Sequence, residues 1–204
     1  MGNWYTNIAV KHPNAAEVLH TLGQLGRHAI VHPAQNRWLT VFDEECDKFD
    51  LDLLESLALT LSNEHGCLAL PCFNADDDLL WLALYENGRR VSRYASSVRE
   101  FEDANEFPPI ADFASGLCRA WDRPEQVNAV RGVLGRPHGP LGLLRLVHLN
   151  IAYVAEIQRH VDLAKIVGLP GASLGLGYTY VARGELAEGM QAENLLRTFG
   201  RTTN

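Results

Sequence analysis

The sequence predicts an α+β fold, and three observations support this prediction. Residues 4–94 alternate between strand-like and helix-like runs in the order β-α-β-β-α-β, followed by a hairpin. Each of the two helical runs opens on a capping-box pattern, Asn14 with Glu17 and Asp52 with Glu55. In the second half of the chain, apolar residues recur mainly at helical spacing. We therefore expect a sheet-forming half followed by a mainly helical half.

The first half contains six short runs rich in β-branched and aromatic residues, which is the composition of strands. The predicted strands are Trp4 to Lys11, His28 to His32, Arg37 to Asp43, Cys67 to Phe73, Leu79 to Tyr85 and Arg89 to Tyr94. Asn87-Gly88 joins the last two runs and predicts a type I′ hairpin turn. The two helices are expected to end near Gly26 and Gly66.

A polar segment from Ala95 to Pro109 separates the two halves, which we place at residues 1–96 and 107–204. The predicted elements of the second half are helices at residues 110–121, 124–135, 141–167 and 192–199, with a break at 148–150 and a late strand from Leu174 to Ala182. Because a late strand must dock on something already folded, we expect it to pack on the first half. The two halves would then form one cooperative unit.

The order of elements in the first half resembles that of the ferredoxin-like superfold. The resemblance covers about half of the chain and concerns element order, not sequence. It implies a four-stranded antiparallel sheet with two helices on one face, here with an added hairpin. That fold hosts many unrelated functions, so the resemblance implies no functional residue.

Composition excludes several classes of protein. The 204-residue chain has a net charge of −7, which opposes nucleic-acid binding. No apolar run approaches the length of a membrane span, and the N-terminus lacks the pattern of a signal peptide. We therefore expect a cytoplasmic protein whose four cysteines are reduced and buried. The sequence leaves the oligomeric state open.

Familiar catalytic and cofactor motifs fail on their context. The glycines of residues 171–177 have dehydrogenase-like spacing, but a helix precedes them and no βαβ unit follows. Residues 74–85 begin like an EF-hand loop but lack its glycine and its final glutamate. The eight histidines show no metal-binding spacing, and no nucleophile elbow or phosphate loop is present. The sequence predicts no cofactor and leaves open whether the protein is an enzyme.

Two acidic turns follow the third and fourth predicted strands. If those strands flank the first, as in the fold that the order resembles, the turns lie at one end of the sheet, roughly 10 Å apart. Three interpretations remain: solvated turns, a surface for a basic protein partner, or a Mg²⁺ or Ca²⁺ site. The candidate binding residues of these turns are Asp43, Glu44, Glu45, Asp76, Asp77 and Asp78.

Three residues of the late strand complete the candidate site. Tyr178, Tyr180 and Arg183 are expected to line a groove between the halves, because Tyr and Arg are favoured contact residues. The leading hypothesis is an intracellular interaction module, an adaptor or an immunity-type protein, that uses an acidic surface. The alternative is a small divalent-metal-dependent enzyme with Asp43 and Asp76 to Asp78 as ligands.

Overall fold

The computed structural model describes residues 2–12, 14–35, 37–137 and 152–198. It shows an α+β fold built on a seven-stranded antiparallel sheet. The strands are β1 Tyr5–Lys11, β2 Ala29–Gln35, β3 Trp38–Asp43, β4 Leu68–Ala75, β5 Leu79–Glu86, β6 Arg89–Ala95 and β7 Leu196–Arg197. Their order across the sheet is β6-β5-β4-β1-β3-β2-β7, with β1 at the centre.

Six α-helices lie in the described residues: α1 Ala15–Gln24, α2 Leu51–Glu64, α3 Ile110–Ala120, α4 Val127–Leu134, α5 Glu156–Val167 and α6 Tyr178–Ala182. Asn14 caps α1 as predicted, since its side chain accepts a hydrogen bond from the backbone N–H of Ala16. The cap of α2 is Asp50, two residues before the predicted Asp52. None of these described helices is both long enough and apolar enough to cross a membrane.

The sheet is covered by helices on both faces. Alternate residues of β1 point to opposite faces, so Ile8 and Val10 pack with α1 and α2, whereas Tyr5 packs with α3, α4 and α5. On the second face Trp38 stacks on Trp121, with ring centroids 3.7 Å apart. The helical half therefore packs across the sheet from the first two helices, and the fold has three layers.

The predicted strand from Leu174 to Ala182 is wrong, because Tyr178–Ala182 forms helix α6. Its alternating residues resemble a strand, but tertiary contacts override that local preference. The backbone N–H of Thr179 donates to the buried Asp47 carboxylate at 2.8 Å, which fixes the first turn of the helix. No local pattern in the sequence indicates this contact, because Thr179 and Asp47 are far apart in the chain.

The end of the chain also differs from prediction. Residues 192–194 form a single 3₁₀ turn rather than part of a helix. Leu196–Arg197 is strand β7, which pairs with Val31 and Ile30 of β2. The chain therefore does contain a late strand, but it closes the sheet edge some twenty residues after the predicted position.

The predicted helix over residues 141–167 can be compared with the structure only from residue 152 onward, and residues 141–151 lie outside the described residues. Glu156–Val167 is α5, and the residues just before it, 152–155, are not helical. The predicted break at 148–150 lies outside the described residues.

Candidate functional site

The topology brings the two acidic turns to the same end of the sheet. Strands β3 and β4 both flank β1 and both run antiparallel to it, with Val41 opposite Ile8 and Asn74 opposite Tyr5. Their C-terminal ends therefore lie beside the start of β1. Residues 2–4 run between the two turns.

Two exposed aromatic residues join the turns. The indole Nε1 of Trp4 donates to Asp76 Oδ1 at 3.1 Å, and the Trp4 ring meets the edge of Phe49 with centroids 4.9 Å apart. Phe49 lies just after the first turn, so the pair spans from one turn to the other. Trp4 is 40% exposed and Phe49 is 38% exposed. We call this surface the acidic edge, and it consists of Trp4, Glu44, Glu45, Phe49, Asp76 and Asp78.

Sequence analysis missed both aromatic residues. Trp4 belonged to a predicted strand, and Phe49 lay between the first acidic turn and the next predicted helix, assigned to no element, so neither stood out as a surface residue. Their exposure depends on how the chain folds back at this end of the sheet. No local pattern in the sequence gives that information.

Asp76 and Asp77 mainly hold the N-terminal segment in place. Asp76 Oδ1 accepts from the backbone N–H of Gly2 at 2.9 Å, and Asp77 Oδ2 accepts from that of Asn3 at 2.8 Å. Both aspartates have positive φ angles, 52° and 59°, which non-glycine residues rarely adopt. The bonds to the N-terminal segment stabilise this tight turn. Asp78 is exposed on the same turn.

Asp43 faces the interior. It is only 2% exposed and forms an ion pair with Arg27, whose Nε donates to Oδ2 at 2.9 Å. The backbone N–H of Cys46 donates to Asp43 Oδ1 at 3.0 Å. The hydrogen bond from Arg27 to this carboxylate raises the pKa of the guanidinium. Asp43 therefore closes the turn and is not presented to a ligand.

Glu44 and Glu45 remain at the surface. Glu44 lies 3.2 Å from Nδ1 of His28, and Glu45 lies 2.7 Å from Nζ of Lys48. Surface pairs of this kind contribute little stability, because water and salt screen their charges. Both carboxylates can exchange these partners for groups on another molecule.

The three predicted residues near the C-terminus do not act as one group. Tyr178 and Tyr180 both lie on α6 and, partly buried, pack against the same apolar cluster, which includes Phe42 and Val181, whereas Arg183 follows the helix. Burial and, next, the Glu44 carboxylate raise the pKa of Tyr178. Tyr180 is half-buried among apolar side chains, and Arg183 is exposed.

The loop before α6 is anchored to β1. Asn7 Nδ2 donates to the carbonyl oxygens of Ser173 and Leu176, both at 2.9 Å. Asp47 lies on the same side and holds Thr179, as described above. The late segment thus packs on the first half as expected, although as a loop and helix rather than a strand.

The metal interpretation of the acidic turns has no supporting geometry. Within the described ranges, one trio of potential ligand residues has its ligand atoms all within 4.8 Å of one another, and it is His12, Glu17 and His65. None of its members belongs to the acidic turns. This trio also corrects the expectation that the histidines do not cluster.

Comparisons with known proteins add no information about function. No protein-family model matches the chain, and no curated protein or solved structure matches it either. The residues of the site are therefore the basis for the function proposed below.

Proposed function

We propose that the acidic edge binds a basic protein partner, and that the chain is an interaction module of the adaptor or immunity type. The supporting observation is the exposed Trp4–Phe49 pair, which lies between the two acidic turns. Large aromatic residues are favoured anchors in protein interfaces, and charged residues around them set the choice of partner.

The charge around the aromatic pair favours a basic partner. Glu44, Glu45 and Asp78 supply carboxylates at the acidic edge, and Asp50 and Asp52 are exposed at the start of α2, close to Phe49 in the chain. The net charge of −7 adds a long-range attraction for a basic protein. In this proposal Asp43, Asp76 and Asp77 shape the surface through their hydrogen bonds within the chain, whereas Glu44, Glu45 and Asp78 contact the partner.

We also propose that β1 to β4, with α1 and α2, form a ferredoxin-like unit. Support comes from the strand order β4-β1-β3-β2, from the antiparallel pairing of these strands, and from the position of both helices on one face. Strands β5, β6 and β7 would then be additions at its two edges.

A cytoplasmic location fits the four free and buried cysteines, since reduced thiols persist in that compartment.

Affinity capture with matched charge variants tests the interaction. The full-length chain is immobilised and exposed to an extract of the cells that produce it. We expect the triple variant Glu44→Gln, Glu45→Gln, Asp78→Asn to lose a partner that the unmodified chain retains at low salt. A control variant, Glu100→Gln, Glu102→Gln, Glu193→Gln, removes the same charge elsewhere and should keep that partner.

Replacement of Phe49 tests whether the partner contacts the aromatic pair directly or is only attracted by the negative charge of the chain. We expect Phe49→Ala to release the same partner, even though it leaves the charge unchanged. Capture of the same proteins by all variants, at any salt concentration, would show that the acidic edge is not a binding surface.

A further inference from the structure

A second polar group lies at the opposite end of β1, roughly 25 Å along the strand from Trp4. His12 follows the last residue of β1, Glu17 lies in the first turn of α1, and His65 ends α2. His12 Nε2 is 3.5 Å from Glu17 Oε2, and the two imidazole rings have centroids 4.9 Å apart. One ligand atom from each residue lies within 4.8 Å of the others.

The loop that caps α1 holds two of these side chains. Nδ1 of His12 is 3.1 Å from the carbonyl oxygen of Asn14 and 3.2 Å from its backbone nitrogen. Asn14 Nδ2 in turn donates to Glu17 Oε1 at 2.7 Å. With Nδ1 engaged by the backbone, Nε2 of His12 is directed to Glu17. Supporting hydrogen bonds of this kind orient the ligands at metal sites.

His65 contributes a buried nitrogen that has no partner. Its Nε2 is inaccessible to solvent and makes no hydrogen bond within the described part of the chain. A simple ion pair between His12 and Glu17 leaves this nitrogen unsatisfied, which is costly for a buried polar atom. A cation bound by all three side chains would satisfy the unpaired nitrogen of His65 and would also explain why His12 and Glu17 lie so close together.

We propose that His12, Glu17 and His65 form a binding site for a divalent transition metal, with zinc as the best fit. Two imidazoles and one carboxylate are a common ligand set for zinc, whereas Mg²⁺ and Ca²⁺ prefer oxygen ligands alone. In tetrahedral zinc sites the ligand atoms are about 3.4 Å apart, close to the His12–Glu17 separation. Small side-chain rotations bring the remaining ligand atom, from His65, to the same spacing.

The ligand set leaves one coordination position for water or a small anion. Both imidazoles line a surface cavity of about 370 Å³, which gives the metal a route to solvent. Lys11 and Arg37 also line this cavity. Glu86 lines the cavity as well, and the Lys11 ammonium is paired with Asp122 at 3.4 Å, so the attraction for a small anion such as inorganic phosphate in the open position comes from Arg37.

Metal titration of the untagged full-length chain, freed of metal by chelator, tests the proposal. We expect calorimetry to show one equivalent of Zn²⁺ bound, and Co²⁺ to give the absorption bands of a low-coordinate nitrogen and oxygen site. Added phosphate should shift those bands. His12→Asn, Glu17→Gln and His65→Asn should each weaken zinc binding by at least about tenfold, since even lost supporting contacts have effects of that size.

The control is His20→Asn, which removes an exposed histidine of α1 outside the trio and should bind zinc normally. Circular dichroism of each metal-free variant checks its folding, and Glu17→Gln is the safest variant because Glu17 is exposed. Absence of zinc binding by the unmodified chain, or binding that all three variants retain, would overturn the proposal. The triple variant of the acidic edge should keep full zinc affinity, so this proposal and the proposed function can fail independently.

Discussion

The two ends of β1 differ in how their polar side chains are satisfied. At the start of the strand, Asp43, Asp76 and Asp77 accept hydrogen bonds from Arg27 or from backbone N–H groups of the same chain. At its other end, Nε2 of His65 is buried beside His12 and Glu17 and has no hydrogen-bond partner among the described residues. Asp43, Asp76 and Asp77, three of the six candidate residues of the acidic turns, thus hold the fold together. His65 is the titratable side chain among the buried groups without a partner in the described residues; the others, such as Asn74 Oδ1 near the start of β1, belong to amides, hydroxyls and indoles.

The largest expected effect comes from deletion of the segment that closes the start of β1. Truncation after Pro170 removes the carbonyl partners of Asn7, the Thr179 N–H that Asp47 accepts, and strand β7. We expect loss of cooperative unfolding for the whole chain, because several buried polar groups lose their partners at once. Thermal melting by circular dichroism measures this. A truncated chain that still melts cooperatively at the original temperature would disprove the single-unit view.

The next largest effect is on the free energy of unfolding, which should differ between variants of the buried and the exposed carboxylates of the acidic turns. Asp43→Asn should lower the free energy of unfolding by about 3 kcal/mol, because it leaves the buried part of Arg27 without its counter-charge. Glu44→Gln, an exposed change in the same turn as Asp43, should alter it by less than about 0.5 kcal/mol. Urea unfolding of both variants gives the values. Equal effects would mean that the turns do not divide into structural and exposed residues.

Acid should lower the stability of the fold through His160, a buried histidine of α5 that contacts the start of β1. His160 Nδ1 is 2.8 Å from the Tyr5 hydroxyl, and burial lowers the pKa of His160 to about 4. The unfolded chain, with its ordinary histidine pKa near 6.5, therefore binds this proton more readily than the folded chain. Stability should be complete above about pH 6.5 and fall as the pH drops to 4, by up to about 3 kcal/mol.

Urea unfolding at several pH values tests this, with His160→Gln as the comparison. Gln cannot take up the proton, so the variant should be less stable at pH 7 but lose less stability between pH 6.5 and 4. Parallel pH profiles for the two proteins would show that His160 is not the sensitive group.

The smallest expected effect is stabilisation by metal at the far end of β1. Zinc at about 100 times its dissociation constant should raise the free energy of unfolding by about 2.7 kcal/mol. Glu17→Gln should abolish most of that increase. Because this gain depends on the zinc concentration, a series of melting curves distinguishes it from a fixed structural effect. An increase of equal size in Glu17→Gln would place the bound zinc elsewhere.

The sequence predicted the α+β class and the first-half strands because their signals are local. Composition predicts a buried strand from Cys67 to Phe73, and the observed strand is Leu68–Ala75. In the same way, Asn14 marks the start of α1. Tyr178 to Ala182 was misread because its alternating pattern is local, while the contact of Thr179 with Asp47 is not. His12 and His65 were missed for the same reason, since they meet only when the end of α2 packs beside the end of β1.

The most direct test of the contrast between the two ends is an anomalous difference map, at the zinc absorption edge, from crystals grown with zinc. It surveys both ends of β1 in one experiment. We predict a single peak between His12, Glu17 and His65, and none among the carboxylates of Asp43 to Glu45 or Asp76 to Asp78. A peak at the acidic turns, or none at the histidines, would contradict this account.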